Sequence, residues 1–536
     1  MSIHSGPVDP VTLAMDVAPT FSPYVWAPTV HEVAARHQLP ASAVLKFDQN
    51  TPPVPGVPQI PLAESFASLC DYPEGSYRDL REAAATYAGL DVSNVTIGAG
   101  ADDLILLLGH VFLGPGRVAS LLNPTYAMYR VATELRNATW VDGWPDDGEV
   151  AVAWRCNPNN PVGEKRDPAE YAELARANPR TVVVVDEAYY EYSDVTAAGY
   201  VDELPNLVVV RTLSKAFGFA SLRAGYALAH SSMAALLESR RAPAPVAGPV
   251  ARIAAAALRD PRFDVRGTIE ERERVRAALV AAGFDSPPTE TNFVVLRSDE
   301  PLLERLEAQG LVVRRMADGI RITLRRPSEN DVLLRALGVD PGSRSGREVT
   351  SIRTTTETAF RLTLGLDGPG RGRVSTGIGF LDHLLTLLAF HAGFDLELAA
   401  GGDLDVDDHH TVEDVLAGLG AALSQALGSR EGVARYGSAV VPMDEARALA
   451  AVDLVRRPHA EISLAFGEGR VGGLAVTLLQ HALERFAIEA GCTVHVEASG
   501  RDDHHVAEAA FKALGQALRQ AVAEGDPGIR STKGAA

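Results

Sequence analysis

The stretch DDHHTVED, Asp407–Asp414, is answered 95 residues later by DDHHVAEA, Asp502–Ala509. The likeness runs on, because LGAAL (Leu419–Leu423) and LGQAL (Leu514–Leu518) follow the two copies at equal offset. Self-similarity of this kind marks repeated structural units. Two copies of one unit are expected, each opening a helix with two histidines and a glutamate. The first histidine and the glutamate are four residues apart in each copy: His409 with Glu413, His504 with Glu508. On a helix that spacing puts both side chains on one face. The second histidines, His410 and His505, lie roughly 100° round and point elsewhere. Upstream of each copy a lone histidine precedes an apolar run, His383 in GFLDHLLTLL and His481 in LLQHALERF. Six imidazoles and two carboxylates in two equivalent sets, without thiolate, suit Mn²⁺, Fe²⁺ or Zn²⁺. One histidine at a helix start is usually a cap or a dipole partner; its recurrence with glutamate at the same spacing sets this pattern apart.

At 536 residues the chain exceeds one hydrophobic core. A hydrophobic fraction of 46% and a charged fraction of 22% are those of a soluble globular protein. The net charge of −19 argues against nucleic acid or an anionic membrane as partner and leaves small anionic substrates open. Cys70, Cys156 and Cys492 lie far apart with no CxxC, so neither a disulfide framework nor a thiolate metal site is indicated. MSIHSGPVDP lacks the pattern of a secretory signal, and no apolar stretch is long enough to span a bilayer. A cytoplasmic protein is expected. DPGSRSG (Asp340–Gly346) reads as a linker. Five of the 14 histidines precede it and nine follow in the shorter part, so the two parts are expected to do different chemistry.

In the first part, runs such as TVVVVDEAYYEY (Thr181–Tyr192) and NLVVVRTLSKAFG (Asn206–Gly218) alternate with amphipathic helical stretches. Continuous valines suggest strands buried on both faces of a parallel sheet. Ligands bind beyond the carboxyl ends of such strands, which is where Asp186 and Lys215 fall. GAGADDLILLL (Gly98–Leu108) is a glycine-rich turn feeding a helix, whose N–H groups suit a phosphate.

With CNPNNPVG (Cys156–Gly163) and RTLSKAFGFASLRAG (Arg211–Gly225), the region from about Lys46 to Leu337 resembles the fold-type I aminotransferases that use pyridoxal phosphate, histidinol-phosphate aminotransferase most closely. The resemblance implies that Lys215 bonds the cofactor and that Asp186 pairs with its ring nitrogen. It assigns Asn160 and Tyr189 to the ring oxygen, Tyr126 to ring stacking, and Ala101, Asp102, Thr212, Ser214 and Arg223 to the phosphate. Tyr72 matches a tyrosine lent by a second subunit, and Arg321 the arginine that holds the substrate's anionic end.

From about Arg347 to Gly534, RTTTET, TGIGFLDHLL, DLDVDDHHTVED, VPMDEA, HHVAEAAFKAL and STKG resemble imidazoleglycerol-phosphate dehydratase. That family has a duplicated α/β unit. The resemblance gives one divalent ion His383, His410, His504 and Glu508 and the other His409, Glu413, His481 and His505, the sets meeting between subunits of a homo-oligomer. Mn²⁺ is the expected metal. Glu357 matches a proton-moving residue, and Arg435, Arg457, Ser531 and Lys533 match a phosphate pocket. The fold class expected is therefore α/β: a fold-type I aminotransferase, with a large α/β domain and a small α+β domain, followed by a duplicated α/β dehydratase domain. The divisions expected are an N-terminal arm (1–45), an aminotransferase (46–339), a linker (340–346) and a dehydratase-like part of two half-repeats (347–536). The two resemblances imply consecutive steps of histidine biosynthesis, with imidazole phosphates and glutamate or 2-oxoglutarate as small-molecule substrates. Three alternatives stand beside this: an aromatic-amino-acid aminotransferase in the first part, and a non-catalytic metal-bound scaffold or a metallohydrolase in the second.

Overall fold

The valine runs become neighbouring strands of one sheet. The computed structural model describes residues 15–53, 69–145, 148–298, 301–342, 346–355, 357–467, 469–471 and 474–525. Seven strands form that sheet: β1 (Val95–Gly98), β2 (Val118–Leu121), β3 (Thr139–Asp142), β4 (Val150–Cys156), β5 (Val182–Asp186), β6 (Leu207–Thr212) and β7 (Gly225–Ala229). Their spatial order is β1-β7-β6-β5-β4-β2-β3. Strands β2 to β6 pair in parallel, whereas β7 runs antiparallel to β6 and β1. Every residue of β5 and β6 is buried. The pleat sends alternate side chains to opposite faces, so Val183, Val185 and Val209 join one apolar cluster while Val184, Val208 and Val210 join another. That two-sided burial is why the runs are continuous rather than alternating. Helix α1 (Ala101–Phe112) opens at Gly100, whose φ of +86° turns the chain out of β1. A separate antiparallel sheet, β9-β10-β8, is made by β8 (Phe293–Arg297), β9 (Arg314–Met316) and β10 (Gly319–Thr323).

The chain forms two compact units that interleave in sequence. One comprises the chain up to Ala27, Phe47–Leu303 and Val313–Arg325; the other comprises Pro28–Lys46, Glu304–Val312 and Arg326 onward. Within the second unit Leu45–Lys46 pairs in parallel with Leu311–Val312. The helix Pro327–Ala336 is joined to the following strand by hydroxyl contacts. Ser328 Oγ donates to Glu348 Oε1 at 2.6 Å, and Thr350 Oγ1 donates to Ser328 Oγ at 2.8 Å. Of the expected linker, residues 343–345 lie outside the described residues.

The duplication is visible as topology in the second unit. The first copy holds β11 (Glu348–Thr354), β12 (Thr358–Gly365), β13 (Gly372–Ser375), α2 (Gly379–Ala392), β14 (Asp395–Gly402) and α3 (His409–Leu427). The second holds β15 (Tyr436–Met443), β16 (Ala446–Asp453), β17 (His459–Leu464), α4 (Val476–Ala490), β18 (Thr493–Ser499) and α5 (Asp503–Val522). The four-stranded sheets are ordered β11-β12-β14-β13 and β15-β16-β18-β17, each with two antiparallel pairings and one parallel one. Each sheet buries one face. Val494, Val496 and Ala498 of β18 are in the core and alternate with exposed His495, Glu497 and Ser499.

The helices pack across the copies. A Cβ placed on Gly420 of α3 would stand 2.4 Å from the carbonyl oxygen of Phe486 on α4, and one on Gly515 of α5 would stand 2.9 Å from that of Leu388 on α2. These are the equivalent glycines of LGAAL and LGQAL. They are repeated because each lets its helix approach the other copy's first helix backbone to backbone. Among the described residues no helix is long and apolar enough to cross a membrane. Alanine normally stabilises a helix interior by about 0.5–1 kcal/mol over glycine. Gly420→Ala should reverse that sign and destabilise by roughly 1–3 kcal/mol through overpacking, read as a lower Tm; an unchanged or higher Tm contradicts the close approach.

Candidate active sites

In the first unit the carboxyl ends of β5 and β6 bring a buried acid and an amine within each other's electrostatic influence. Asp186, the last residue of β5, is 2% exposed. Its Oδ2 accepts the Tyr129 hydroxyl at 2.8 Å and its Oδ1 the Ala188 N–H at 3.0 Å, and neither partner is a cation. Burial pushes this carboxyl up to about 6, with Tyr129 and Ala188 pulling the other way. Lys215 follows β6 and donates from Nζ to the Gln49 carbonyl at 3.3 Å. Its ammonium is held down at about 8, first by burial and then by the Arg321 guanidinium. Arg321, in β10, is 7% exposed; it donates from Nη2 to the Asp48 carbonyl at 3.0 Å and from Nη1 to Asn160 Oδ1. Its Nε is buried and has no hydrogen-bond partner among the described residues. Tyr189 is fully buried, and its hydroxyl accepts Asn50 Nδ2 at 2.7 Å.

The phosphate-cradle residues gather at the start of α1. Ala101 and Asp102 open the helix. Asp102 accepts Tyr126 Oη at 2.9 Å and Arg223 Nη2 at 3.1 Å. Arg223 Nη1 reaches Ser214 Oγ at 3.4 Å, and Thr212 Oγ1 donates to Ser214 Oγ at 2.9 Å. A Cβ on Gly100 would stand 2.8 Å from Arg223 Nη2 and push that guanidinium aside, and the φ of +86° there favours glycine in its own right. Tyr72 lies apart from the cluster and is 94% exposed.

In the second unit the first Asp of each DDHH accepts the N–H two residues on, Asp502 as the N-cap of α5 and Asp407 one residue before the N-cap of α3. Asp407 Oδ1 accepts the His409 N–H at 2.8 Å, and Asp502 Oδ1 accepts the His504 N–H at 2.9 Å. Two triads result, and each draws on both copies. His383 of α2 meets His504 and Glu508 of α5, with His383 Nε2 at 2.6 Å and His504 Nε2 at 3.1 Å from Glu508 Oε1. His481 of α4 meets His409 and Glu413 of α3, both Nε2 atoms lying 3.3 Å from Glu413 Oε2. Each glutamate's other oxygen holds a cation: Lys512 Nζ at 2.7 Å from Glu508 Oε2, Arg485 Nε at 3.1 Å from Glu413 Oε1. Although burial would raise it, Lys512 and His383 bring Glu508 down to about 2. His410 and His505 stand outside both triads.

Comparison with known proteins separates the same two parts. The family model for aminotransferase class I and II matches residues 39–337, and that for imidazoleglycerol-phosphate dehydratase matches 376–518. The imidazoleglycerol-phosphate dehydratase of Granulibacter bethesdensis is 51% identical over 194 residues, 35% of this chain and 98% of that protein. One from Phytophthora nicotianae is 51% identical over 195 residues, 36% of this chain but only 43% of that protein. The crystal structure of Sinorhizobium meliloti histidinol-phosphate aminotransferase in complex with pyridoxal-5'-phosphate superposes with a TM-score of 0.53 at 23% identity. It covers 60% of this chain and 98% of that one.

The chain belongs to both families. The aminotransferase site fits its family's cofactor on its own chemistry: a buried acid held among the described residues by neutral donors, a depressed lysine, a buried guanidinium nitrogen unbonded among the described residues, and a helix start turned by a positive-φ glycine. The dehydratase triads fit divalent ions. An ion about 2.0–2.2 Å from each donor needs donors within roughly 4.4 Å of one another; the glutamate oxygen stands 2.6 and 3.1 Å from the two imidazole nitrogens in one triad and 3.3 Å from both in the other. The structure does not bring Arg435 and Arg457 to either triad. Arg435 forms a two-point pair with Asp453, at 2.7 and 3.0 Å, where β16 ends. Glu445 and the start of α5 stand where β16 begins, about 23 Å along the strand. Ser531 and Lys533 lie outside the described residues. Glu357 Oε2 is 3.9 Å from His410 Nε2.

Sequence reasoning missed Tyr129, Lys512 and Arg485. Tyr129 stands one helical step from Tyr126, Lys512 four residues from Glu508, and Arg485 four from His481; that spacing was the available signal. Since the neutral amine is the nucleophile, uptake of pyridoxal phosphate by the cofactor-free protein should rise with pH through about 8. Replacing Arg321 by leucine should move that inflection upward, because one cause of the depression is removed. Stopped-flow absorbance checks this, and an unmoved inflection contradicts it.

Proposed function

We propose that the chain is a bifunctional enzyme of histidine biosynthesis. Its C-terminal part removes water from imidazoleglycerol phosphate to give imidazole-acetol phosphate. Its N-terminal part transfers the amino group of glutamate to that ketone, giving histidinol phosphate and 2-oxoglutarate. The observation that carries the reading is the pair of cross-copy triads, in a region that shares half its residues with the Granulibacter dehydratase over nearly that protein's whole length. The first step's product is then the second's substrate, which selects the aminotransferase reaction. We assign 46–339 to the aminotransferase and 347–536 to the dehydratase, with 340–346 between them.

In the first site, pyridoxal phosphate supplies an electron-accepting ring. Asp186, raised by burial and fixed by Tyr129, favours a cationic ring nitrogen against it. Lys215 Nζ, near 8, can both take and return a proton at neutral pH. Arg321 binds the anionic end of the substrate, and Asn160 and Tyr189 orient the ring oxygen. Ala101, Asp102, Thr212, Ser214 and Arg223 seat the phosphate, Tyr126 stacks on the ring, and Tyr72 belongs to the partner subunit's site.

In the second site the two triads would hold two divalent ions, Mn²⁺ in this reading, whose charge would polarise the substrate imidazole. His383, His504 and Glu508 hold one and take His410 from another subunit as fourth ligand; His409, Glu413 and His481 hold the other with His505. Glu357 moves protons at the glycerol chain. Arg435, Arg457, Ser531 and Lys533 bind phosphate for a neighbouring subunit, since Arg435 and Arg457 stand at the far end of their own sheet.

The test follows both steps in one vessel. Imidazoleglycerol phosphate plus glutamate should yield 2-oxoglutarate, and chelation should stop this while leaving transamination of supplied imidazole-acetol phosphate intact. Turnover of phenylpyruvate but not imidazole-acetol phosphate, or no loss of water with metal restored, contradicts the reading.

A further inference from the structure

The second histidine of each copy is gripped by a carboxylate. His410 Nδ1 lies 3.0 Å from Asp403 Oδ2, and His505 Nδ1 lies 2.9 Å from Glu445 Oε2. Each of these acids is anchored, Glu445 through its carboxylate and Asp403 through its backbone. Glu445 accepts the Asp502 and Arg501 N–H groups on Oε1 at 3.0 and 3.3 Å, which aims its other oxygen at His505. Asp403 is anchored through its main chain: its N–H donates to the Glu357 carbonyl at 3.1 Å and its own carbonyl accepts the Val406 N–H at 2.7 Å. For the other ring nitrogen, Nε2, Glu357 Oε2 stands at 3.9 Å in the first copy and Asp444 Oδ2 at 3.8 Å in the second, beyond hydrogen-bond reach.

The duplication shows that this grip is not simple inheritance. Glu357 and Glu445 occupy equivalent places, each the residue before the second strand of its sheet. Glu445 holds Nδ1 of its histidine, whereas Glu357 does not; in the first copy that task falls to Asp403, just past β14. Two positions unrelated by the repeat thus supply the same contact to the same nitrogen. An imidazole that donates Nδ1–H to a carboxylate is locked in the tautomer whose Nε2 lone pair is free, and its orientation is set.

We infer that Asp403 and Glu445 are positioning residues that present Nε2 of His410 and His505 as the fourth ligands of the two ions. The inference rests on the ligand sets proposed above. Removal of such an outer carboxylate typically costs about 10- to 100-fold in metal affinity.

The experiment is a Mn²⁺ titration of the full-length protein, free ion being counted by its paramagnetic resonance signal. His410→Ala and His505→Ala should each weaken one of two sites. Asp403→Leu should weaken the same site as His410→Ala by about 10- to 100-fold, with no further loss when the two are combined. Glu445→Leu should match His505→Ala in the same way. Asp403→Asn and Glu445→Gln keep an acceptor oxygen and should stay close to wild type. Asp403→Ser and Glu445→Ser give the same readout if leucine is not tolerated. If the histidine variants lose a site while the leucine and serine variants keep both, the positioning role is overturned and the ligand sets stand. If the histidine variants also keep both ions, the ligand sets fail and the inference falls with them.

Discussion

Two backbone-to-backbone helix contacts hold the dehydratase site together. At Gly420 and Gly515 a helix of one copy lies against the first helix of the other, with no room for a side chain between them. Each contact sets a lone histidine opposite a histidine–glutamate pair that the other copy supplies. Neither copy could hold an ion alone: the first contributes His383 to one triad and His409 with Glu413 to the other, and the second contributes the complement. Duplication alone therefore does not explain the site. The chemistry depends on the two copies packing closely enough that two imidazoles reach one carboxylate oxygen.

The aminotransferase site is organised by burial of charge rather than by close helix approach. Asp186 sits at the end of a strand covered on both faces, where losing water is the dominant influence on its carboxyl. The same burial depresses Lys215, and Arg321 adds to it. These groups are costly to bury without partners, and the described contacts satisfy them only in part. Asp186 is fixed by a neutral hydroxyl, and Arg321 keeps one buried nitrogen unbonded. A charged ligand that complements them would relieve that cost.

Much of this was legible from spacing. Continuous valines foretold β5 and β6, and the placement of Asp186 and Lys215 after them followed from the rule for parallel sheets. The four-residue step put His409 with Glu413 and His504 with Glu508 on common helix faces, and the structure agrees. What spacing could not tell was which lone histidine joins which pair. The family resemblance supplied the crossed pairing, but its cause is the contacts at Gly420 and Gly515, which exist only in three dimensions. The contacts of Tyr129, Asp403 and Glu445 went unread for a similar reason. A tyrosine in a helix or a carboxylate in a turn looks ordinary until tertiary structure shows which atom it holds. The interleaving of the compact units, with Glu304–Val312 grouped with the C-terminal unit, has no signal in composition at all.

The central claim is that one chain builds the three-ligand core of two metal centres, each from both copies. Crystals of the full-length protein grown with Mn²⁺ and measured on either side of the manganese absorption edge test it most directly. The account requires two anomalous peaks per chain, one bonded to His383, His504 and Glu508 and the other to His409, Glu413 and His481. A single peak, or ions seated within one copy's residues alone, would contradict it.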